Sequence, residues 1–290
     1  MSYRILAPFD PWKSKLCTCP NKLSFNPYTG CNHRCLYCYS TYIPNFFRAR
    51  AKEMLLTRLE RELREVLPGT LVSMSNSSDP YPRMEEKLEL TRKSLQMFKE
   101  KGLRVLVITK SDLVVRDLDI LKDMQSAVAI TITTLDESLA EKIEPFAPKP
   151  KNRLKALKKV KEIGVPAILR LDPVIPFLNE NVEEVLEEAK FVGHVVSSTL
   201  KLRADSYSRL SKAFPELKEK LRELYFRRGE KIGGSWYLKK EVRLKLLSRV
   251  AEKCEELGMS YAFCREGFKF KAKSCDGSHL TLRREVTSSA

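Results

Sequence analysis

The stretch "GCNHRCLYCYS", residues 30 to 40, places Cys31, Cys35 and Cys38 close together in a chain with only five other cysteines. Disulfide pairs, zinc knuckles and iron–sulfur clusters all draw on such groupings. Zinc sites usually present two separated pairs of ligands. Here three thiols come together, and apart from His194 no further Cys or His follows for about two hundred residues. His33 lies inside the loop, too close to its neighbours to complete a good tetrahedron. The opening "MSYRILAPFDPWKSKLC" has no uninterrupted apolar core, so no secretory leader is expected. No apolar run approaches the roughly 20 residues that cross a bilayer. The expected compartment is therefore cytoplasmic, with no membrane partner. Thiols there stay reduced, and grouped cysteines bind metal more often than one another. Three thiolates in a tight loop suit a cubane cluster whose remaining iron has no protein ligand and is open to substrate or cofactor.

Outward from this loop the chain alternates short β-branched runs with longer amphipathic ones. Strands are predicted at 22–27, 70–75, 103–109, 127–133, 166–174 and 193–202, and helices at 46–66, 84–101, 112–124, 150–163 and 181–191. Strand–helix alternation predicts parallel strands joined by right-handed crossovers. Near-continuous apolar strands predict a sheet covered on both faces. Six such units fit an α/β fold, a partial (β/α)6 TIM-type barrel, better than a dinucleotide-binding sheet, because the first strand runs into the cysteine loop and not into a GxGxxG turn. Two further helices (206–228 and 239–257) precede a short final strand, "MSYAFC", and an irregular tail, 265–290. The expected divisions are an N-terminal segment, 1–21; a barrel core, 22–205; and a basic C-terminal extension, 206–290. In parallel β/α architectures chemistry sits at the C-terminal ends of the strands, where the cysteine loop lies.

The C-x3-C-x2-C spacing, followed by Tyr39 and preceded by a strand, resembles the radical S-adenosylmethionine enzymes. "NPYTGCNHRCLYCYS" is similar to the opening of the spore photoproduct lyase-related, DNA repair photolyase-like group. So are "SNSSDPY" (75–81), "ITKSD" (108–112), "EPFAPKPKNRLKAL" (144–157) and "RLDPVIPF" (170–177), in the group's order. The resemblance implies a 4Fe–4S cluster on Cys31, Cys35 and Cys38. S-adenosylmethionine would chelate the free iron through its amino and carboxylate groups and be cleaved reductively to a 5′-deoxyadenosyl radical. It also implies a reducing partner such as ferredoxin or flavodoxin. Ser78 and Asp79, beyond the second strand, are candidate acceptors for the cofactor's ammonium, against the plainer reading of an Asp-Pro turn. Lys110 is a candidate partner for its carboxylate. Thr131 resembles a hydroxyl of the group that touches the cofactor. Tyr37 and Tyr39 match tyrosines that contact the cofactor or relay hydrogen. Arg170 and Asp172, at the end of the fifth strand, are a candidate cofactor or substrate contact or else a salt bridge with each other. One departure matters: true lyases carry a hydrogen-donating cysteine two residues before the Ser-Asp pair, where this chain has Asn76. A carboxamide cannot donate a hydrogen atom to a carbon radical, so repair by that route is not expected.

Of the other cysteines, Cys254 sits in a helical pattern as a small apolar residue. Cys17, Cys19, Cys264 and Cys275 are as many thiols as a closed site needs and are expected to ligate an auxiliary iron–sulfur cluster; zinc or independent thiols are the alternatives. The formal charge is +16. Residues 149–162 hold 7 Lys/Arg against 1 Asp/Glu, and residues 201–250 hold 15 against 6. Concentrated basic charge suits a polyanion such as DNA or RNA. The alternative is a solvated face of a thermophile protein, a reading that the two glutamines and abundant Lys, Arg and Glu also suggest. The leading expectation is a radical enzyme on nucleic acid, in repair or base modification, with Trp236 and Tyr237 available for stacking, although core packing is the favoured reading of that pair. The alternatives are a radical enzyme on a peptide or small metabolite, inserting sulfur, and a non-catalytic iron–sulfur or zinc module that binds nucleic acid.

Overall fold

The computed structural model describes residues 4–9 and 15–282. The last part of the tail expected to be irregular, 283–290, lies outside them. Eight strands form one open sheet: β1 (Ala7–Pro8), β2 (Leu23–Phe25), β3 (Leu71–Met74), β4 (Arg104–Thr109), β5 (Ser126–Thr131), β6 (Ala167–Val174), β7 (His194–Thr199) and β8 (Ser260–Phe263). Their spatial order is their chain order. β1 pairs antiparallel with β2, and every other neighbouring pair is parallel. This is the expected partial β/α barrel, and the final strand continues its sheet. Helices α1 (Leu55–Leu63), α2 (Leu90–Glu100), α3 (Glu137–Ile143), α4 (Pro150–Glu162), α5 (Val182–Glu188), α6 (Ala204–Ala213) and α7 (Lys240–Glu256) connect or cover it.

Strand alternation sorts the core into two layers. Val105, Val107, Val128, Ile130, Leu169 and Val195 face outward onto helical residues such as Leu95, Phe98, Leu157, Leu186 and Val250. The inward set, Leu106, Ala127, Ala129, Ile168 and Val196, is small. That narrow lining leaves room for the tail. Residues 265–282 form little regular structure, as expected, yet Cys275, Asp276, Ser278 and Thr281 are buried. A Cβ on Gly277 would stand 2.5 Å from the Ile168 Cδ1 and 3.1 Å from the His194 ring, so only glycine lets the tail pass. His279 packs edge-on against His194 at 5.2 Å, and Arg104 donates to the Thr281 hydroxyl at 3.0 Å. His194 thus starts β7 at the sheet's N-terminal end, away from the cysteine loop.

Helix 46–66 was overextended by its apolar pattern. Its first third is pulled into the cysteine loop: Arg50–Ala51 pairs with Tyr28–Thr29, and the Cys31 N–H donates to the Phe46 carbonyl at 2.7 Å. Likewise the 206–228 pattern breaks at Phe214 into short turns ahead of a π-helical segment, Arg222–Arg227.

Candidate functional site

The cysteine loop crosses the C-terminal end of the barrel and lines a cavity of about 220 Å³. Gly30 opens it with φ +83°, and a Cβ there would lie 2.5 Å from the Phe46 carbonyl oxygen. Two long-range contacts hold it. The Leu36 N–H donates to the Ile143 carbonyl at 2.9 Å. From α6, the Arg209 guanidinium donates to the Leu36 and Cys38 carbonyls at 3.0 and 2.7 Å. Arg209 was not among the sequence candidates, because nothing local in residues 201–250 distinguishes it from its basic neighbours. Its role removes one cation from the presumed polyanion surface. Further cations of the two basic windows are also paired internally, including Arg153 with Glu144, Lys201 with Glu266 and Arg243 with Glu266.

Burial pushes the thiols of Cys31, Cys35 and Cys38 up, Cys31 to about 12. Opposing this, the N–H groups of His33 and Asp79 point at the Cys31 sulfur and that of Ser40 at Cys38, while the Lys110 ammonium favours a Cys35 thiolate. Donors and a cation aimed at three buried sulfurs fit a group that binds them as thiolates. Among the described residues no three His, Cys, Asp or Glu side chains stand at metal-ligand spacing, and this holds for the loop triad as for any other group.

The remaining candidates converge on the same cavity: Tyr37, Tyr39, Ser78, Asp79, Lys110, Thr131 and Arg170 all line it. Their engagements differ. Asp79 accepts from the Thr109 hydroxyl at 2.7 Å and from the N–H groups of Lys110 and Tyr81 at 2.8 and 3.0 Å, with the His33 Nδ1 at 3.6 Å. It ties the β3 loop to the end of β4. Ser78 Oγ accepts from the Gly30 N–H at 3.0 Å, which fixes the start of the cysteine loop. Thr131 ends β5, with its carbonyl bonded to Arg153. The two tyrosines part company. Tyr37 is buried and its hydroxyl donates to Glu144, which also accepts from Thr133 at 3.0 Å and pairs with Arg153 at 2.5 Å. Tyr39 is 39% exposed, its hydroxyl 3.5 Å from the Asn76 carbonyl. Arg170 pairs with Asp172, whose other oxygen accepts from Ser198. The Asn76 amide is occupied by Ser24, Ser73 Oγ and the Ser73 carbonyl.

Two residues escaped the sequence reading. Ser75 and Arg265 have φ of +72° and +58°, a left-handed backbone uncommon outside glycine. Ser75 Oγ and Arg265 Nε are buried without a hydrogen-bond partner, and both residues line the cavity. Such strain carries no sequence signature. Trp236 and Tyr237 are not a stacking platform: Tyr237 is fully buried and Trp236 packs edge-on against Phe226 at 5.4 Å. Their short hairpin, Glu230–Ile232 with Ser235–Tyr237, needs them as core.

The described residues thus form a β/α barrel with three cysteines in one loop at the C-terminal ends of its strands. Residues 25–192 match the model of the Radical SAM superfamily, and the chain belongs to it. An uncharacterized protein of Methanocaldococcus jannaschii is 32% identical over 174 residues, 58% of this chain and 66% of that protein. An uncharacterized protein of Acidianus two-tailed virus is 34% identical over 177 residues, 54% of this chain and 58% of the viral one. The chain therefore spans less than two thirds of the length of these relatives. A Radical SAM Nalpha-GlyT isomerase of a Pseudomonas phage is 22% identical over 278 residues, 90% of this chain and 57% of the isomerase. Among solved structures, spore photoproduct lyase complexed with dinucleoside spore photoproduct shares the fold, with a TM-score of 0.67 and 16% identity over 83% of this chain and 76% of that one. Membership of that superfamily favours the catalytic readings over the non-catalytic one. The superfamily implies a 4Fe–4S cluster and S-adenosylmethionine, and no helix among the described residues is long and apolar enough to cross a membrane.

Proposed function

We propose that this enzyme takes a hydrogen atom from a nucleic-acid substrate, in base modification or repair, and is not itself a spore photoproduct lyase. The observation that carries this reading is the charge of the cavity: beyond the Arg170–Asp172 and Lys201–Glu266 pairs, Lys110 and Arg265 line it against Asp79. A cation-rich cleft in a chain of net charge +16 favours phosphate-bearing ligands. A fold neighbour bound to a dinucleoside photoproduct supports the same class of substrate.

When bound, the cluster and S-adenosylmethionine supply a 5′-deoxyadenosyl radical. Cys31, Cys35 and Cys38 are the residues that would hold the cluster, and Ser78, Asp79, Lys110, Thr131 and Arg170 those that would orient the cofactor. Asp79 acts here chiefly by fixing the Lys110 and Tyr81 backbone and the Thr109 hydroxyl, since its oxygens already accept three bonds. Tyr39, the more exposed of the two tyrosines, would be the one to meet substrate, whereas Tyr37, anchored on Glu144, would act as a positioning residue. Asn76, with its amide engaged, gives no route to hydrogen return. A ferredoxin or flavodoxin is the proposed reductant.

The test is binding of single- and double-stranded DNA and RNA by the anaerobically reconstituted protein across a salt series. Affinity that falls linearly with log salt is expected. No binding at low salt sinks the nucleic-acid reading. Formation of 5′-deoxyadenosine under dithionite tests the radical chemistry separately.

A further inference from the structure

Behind Tyr39 lies a second cavity of about 310 Å³. It shares a wall with the first, formed by Tyr39, Ser75, Asn76, Arg170, Cys264 and Arg265 among others. Cys17, Cys19 and Cys264 line it. Cys275 reaches the same corner from the tail, with its Sγ 3.2 Å from that of Cys19, and the Cys17 and Cys19 thiols are hydrogen-bonded. Four of the five cysteines outside the loop triad therefore gather at one place from opposite ends of the chain. Only Cys254 stays apart, buried in α7.

Three observations bear on what belongs there. First, the thiols are supported as a site. Lys22 is buried beside Cys19 and Cys275, pairs with Asp276 at 2.5 Å and lies 4.2 Å from the Phe9 ring centroid. Second, Lys22 pairs with Asp276 and Arg170 with Asp172, which leaves Arg265 as the lining cation outside those pairs. The net positive charge of the lining suits an anionic occupant. The buried Arg265 Nε and Ser75 Oγ, on strained backbone in the shared wall, have no protein partner. Third, the space is large. A structural zinc draws its four thiolates to about 2.3 Å and fills the site itself. A cavity of about 310 Å³ beside the thiols fits a bulkier inorganic core.

We propose that Cys17, Cys19, Cys264 and Cys275 form a second metal site that holds an iron–sulfur cluster, separated from the catalytic cavity by the wall that carries Tyr39 and Arg265. The tail is then more than a plug. It returns Cys275 beneath β2 so that one cluster joins both chain ends to the last strand. Metal content is read without substrate, so this site stands or falls independently of the nucleic-acid reading.

The experiment uses the full chain with Cys31→Ala, Cys35→Ala and Cys38→Ala combined, reconstituted anaerobically with iron and sulfide. About four irons and four sulfides per chain are expected, with an electron paramagnetic resonance signal on reduction. Adding Cys19→Ser and Cys275→Ser should remove them while circular dichroism stays native. If that combination fails to fold, Cys264→Ser alone in the same background must shift the resonance signal or lower the iron content. A triple variant without iron and sulfide overturns the proposal. So does one that binds zinc alone, or a Cys19–Cys275 disulfide found by mass spectrometry in anaerobically purified protein.

Discussion

The two cysteine groups are built in opposite ways. Cys31, Cys35 and Cys38 share one loop, and the chain geometry of a few residues nearly fixes their mutual distances. Cys19 and Cys275 are 256 positions apart and meet only because the tail threads the narrow barrel interior. The first group depends on the fold for burial and orientation; the second depends on it for existence. A local site should therefore survive moderate loosening of the barrel that a long-range site does not.

The largest effect tests the division of labour between them. Cys35→Ala should reduce 5′-deoxyadenosine formation under dithionite to the level of a protein-free control, measured by chromatography. Cys19→Ser should leave that formation measurable, since Cys19 does not line the catalytic cavity. Equal abolition by both would erase the distinction between the two groups.

Next is the buried anchor under the loop. Burial disfavours a charged Glu144, but Arg153 and Lys110, with the Tyr37 bond, outweigh it and hold the carboxyl below 4.5. Glu144→Ala leaves the Arg153 charge buried without its partner and should destabilise by about 3–5 kcal/mol in urea unfolding. A depressed folded-state pKa means that the stabilisation is complete above the unfolded value. It is lost as pH falls below about 4.5 toward the folded value. The advantage of the native protein over Glu144→Gln should accordingly shrink with acidification through that window. A pH-independent difference would show that the carboxylate charge is not what Arg153 recognises.

A smaller effect is expected at the clamp from α6. Arg209→Ala removes two charge-assisted bonds to loop carbonyls, and should cost about 2–3 kcal/mol. Loop-bound iron should then be lost faster to a chelator, while iron at the second group is lost at the native rate. Parallel acceleration of both would mean that the two sites are coupled through the fold.

The smallest concerns Ser75. Its hydroxyl has no partner, so Ser75→Ala should change stability by less than about 1 kcal/mol. If that hydroxyl meets a ligand in the cavity, affinity for S-adenosylmethionine, read by equilibrium dialysis, should weaken by about 5- to 10-fold. Unchanged affinity would assign the left-handed backbone at Ser75 to the cavity wall alone.

Much of this architecture is legible in the residues. Runs such as "LRVLVIT" and "AVAITIT" are apolar on both faces, and that is why β4 and β5 can be located from the chain alone. The helix expected at 46–66 failed at its start because apolar Phe46 and Phe47 are not a helical stripe; Phe46 lines the cavity beside the cysteine loop, and Phe47 packs against the Arg209 guanidinium. The basic windows misled in a different way. Charge counts do not show that Arg153, Lys201, Arg209 and Arg243 point inward to carboxylates and carbonyls. Trp236 and Tyr237, open in the sequence between stacking and core packing with core favoured, serve as core.

The sequence by itself determined the superfamily, since the three-cysteine loop after the first predicted strand carries the resemblance that the family match bears out, and it determined the order of β/α units through apolar periodicity. Only the tertiary structure decided which tyrosine faces the open cavity, which cations are free to meet a ligand, and that the thiols at the two chain ends share one corner. Those outcomes depend on contacts between residues far apart in the chain, such as Tyr37 with Glu144, Arg209 with Cys38 and Cys19 with Cys275, which no local pattern encodes.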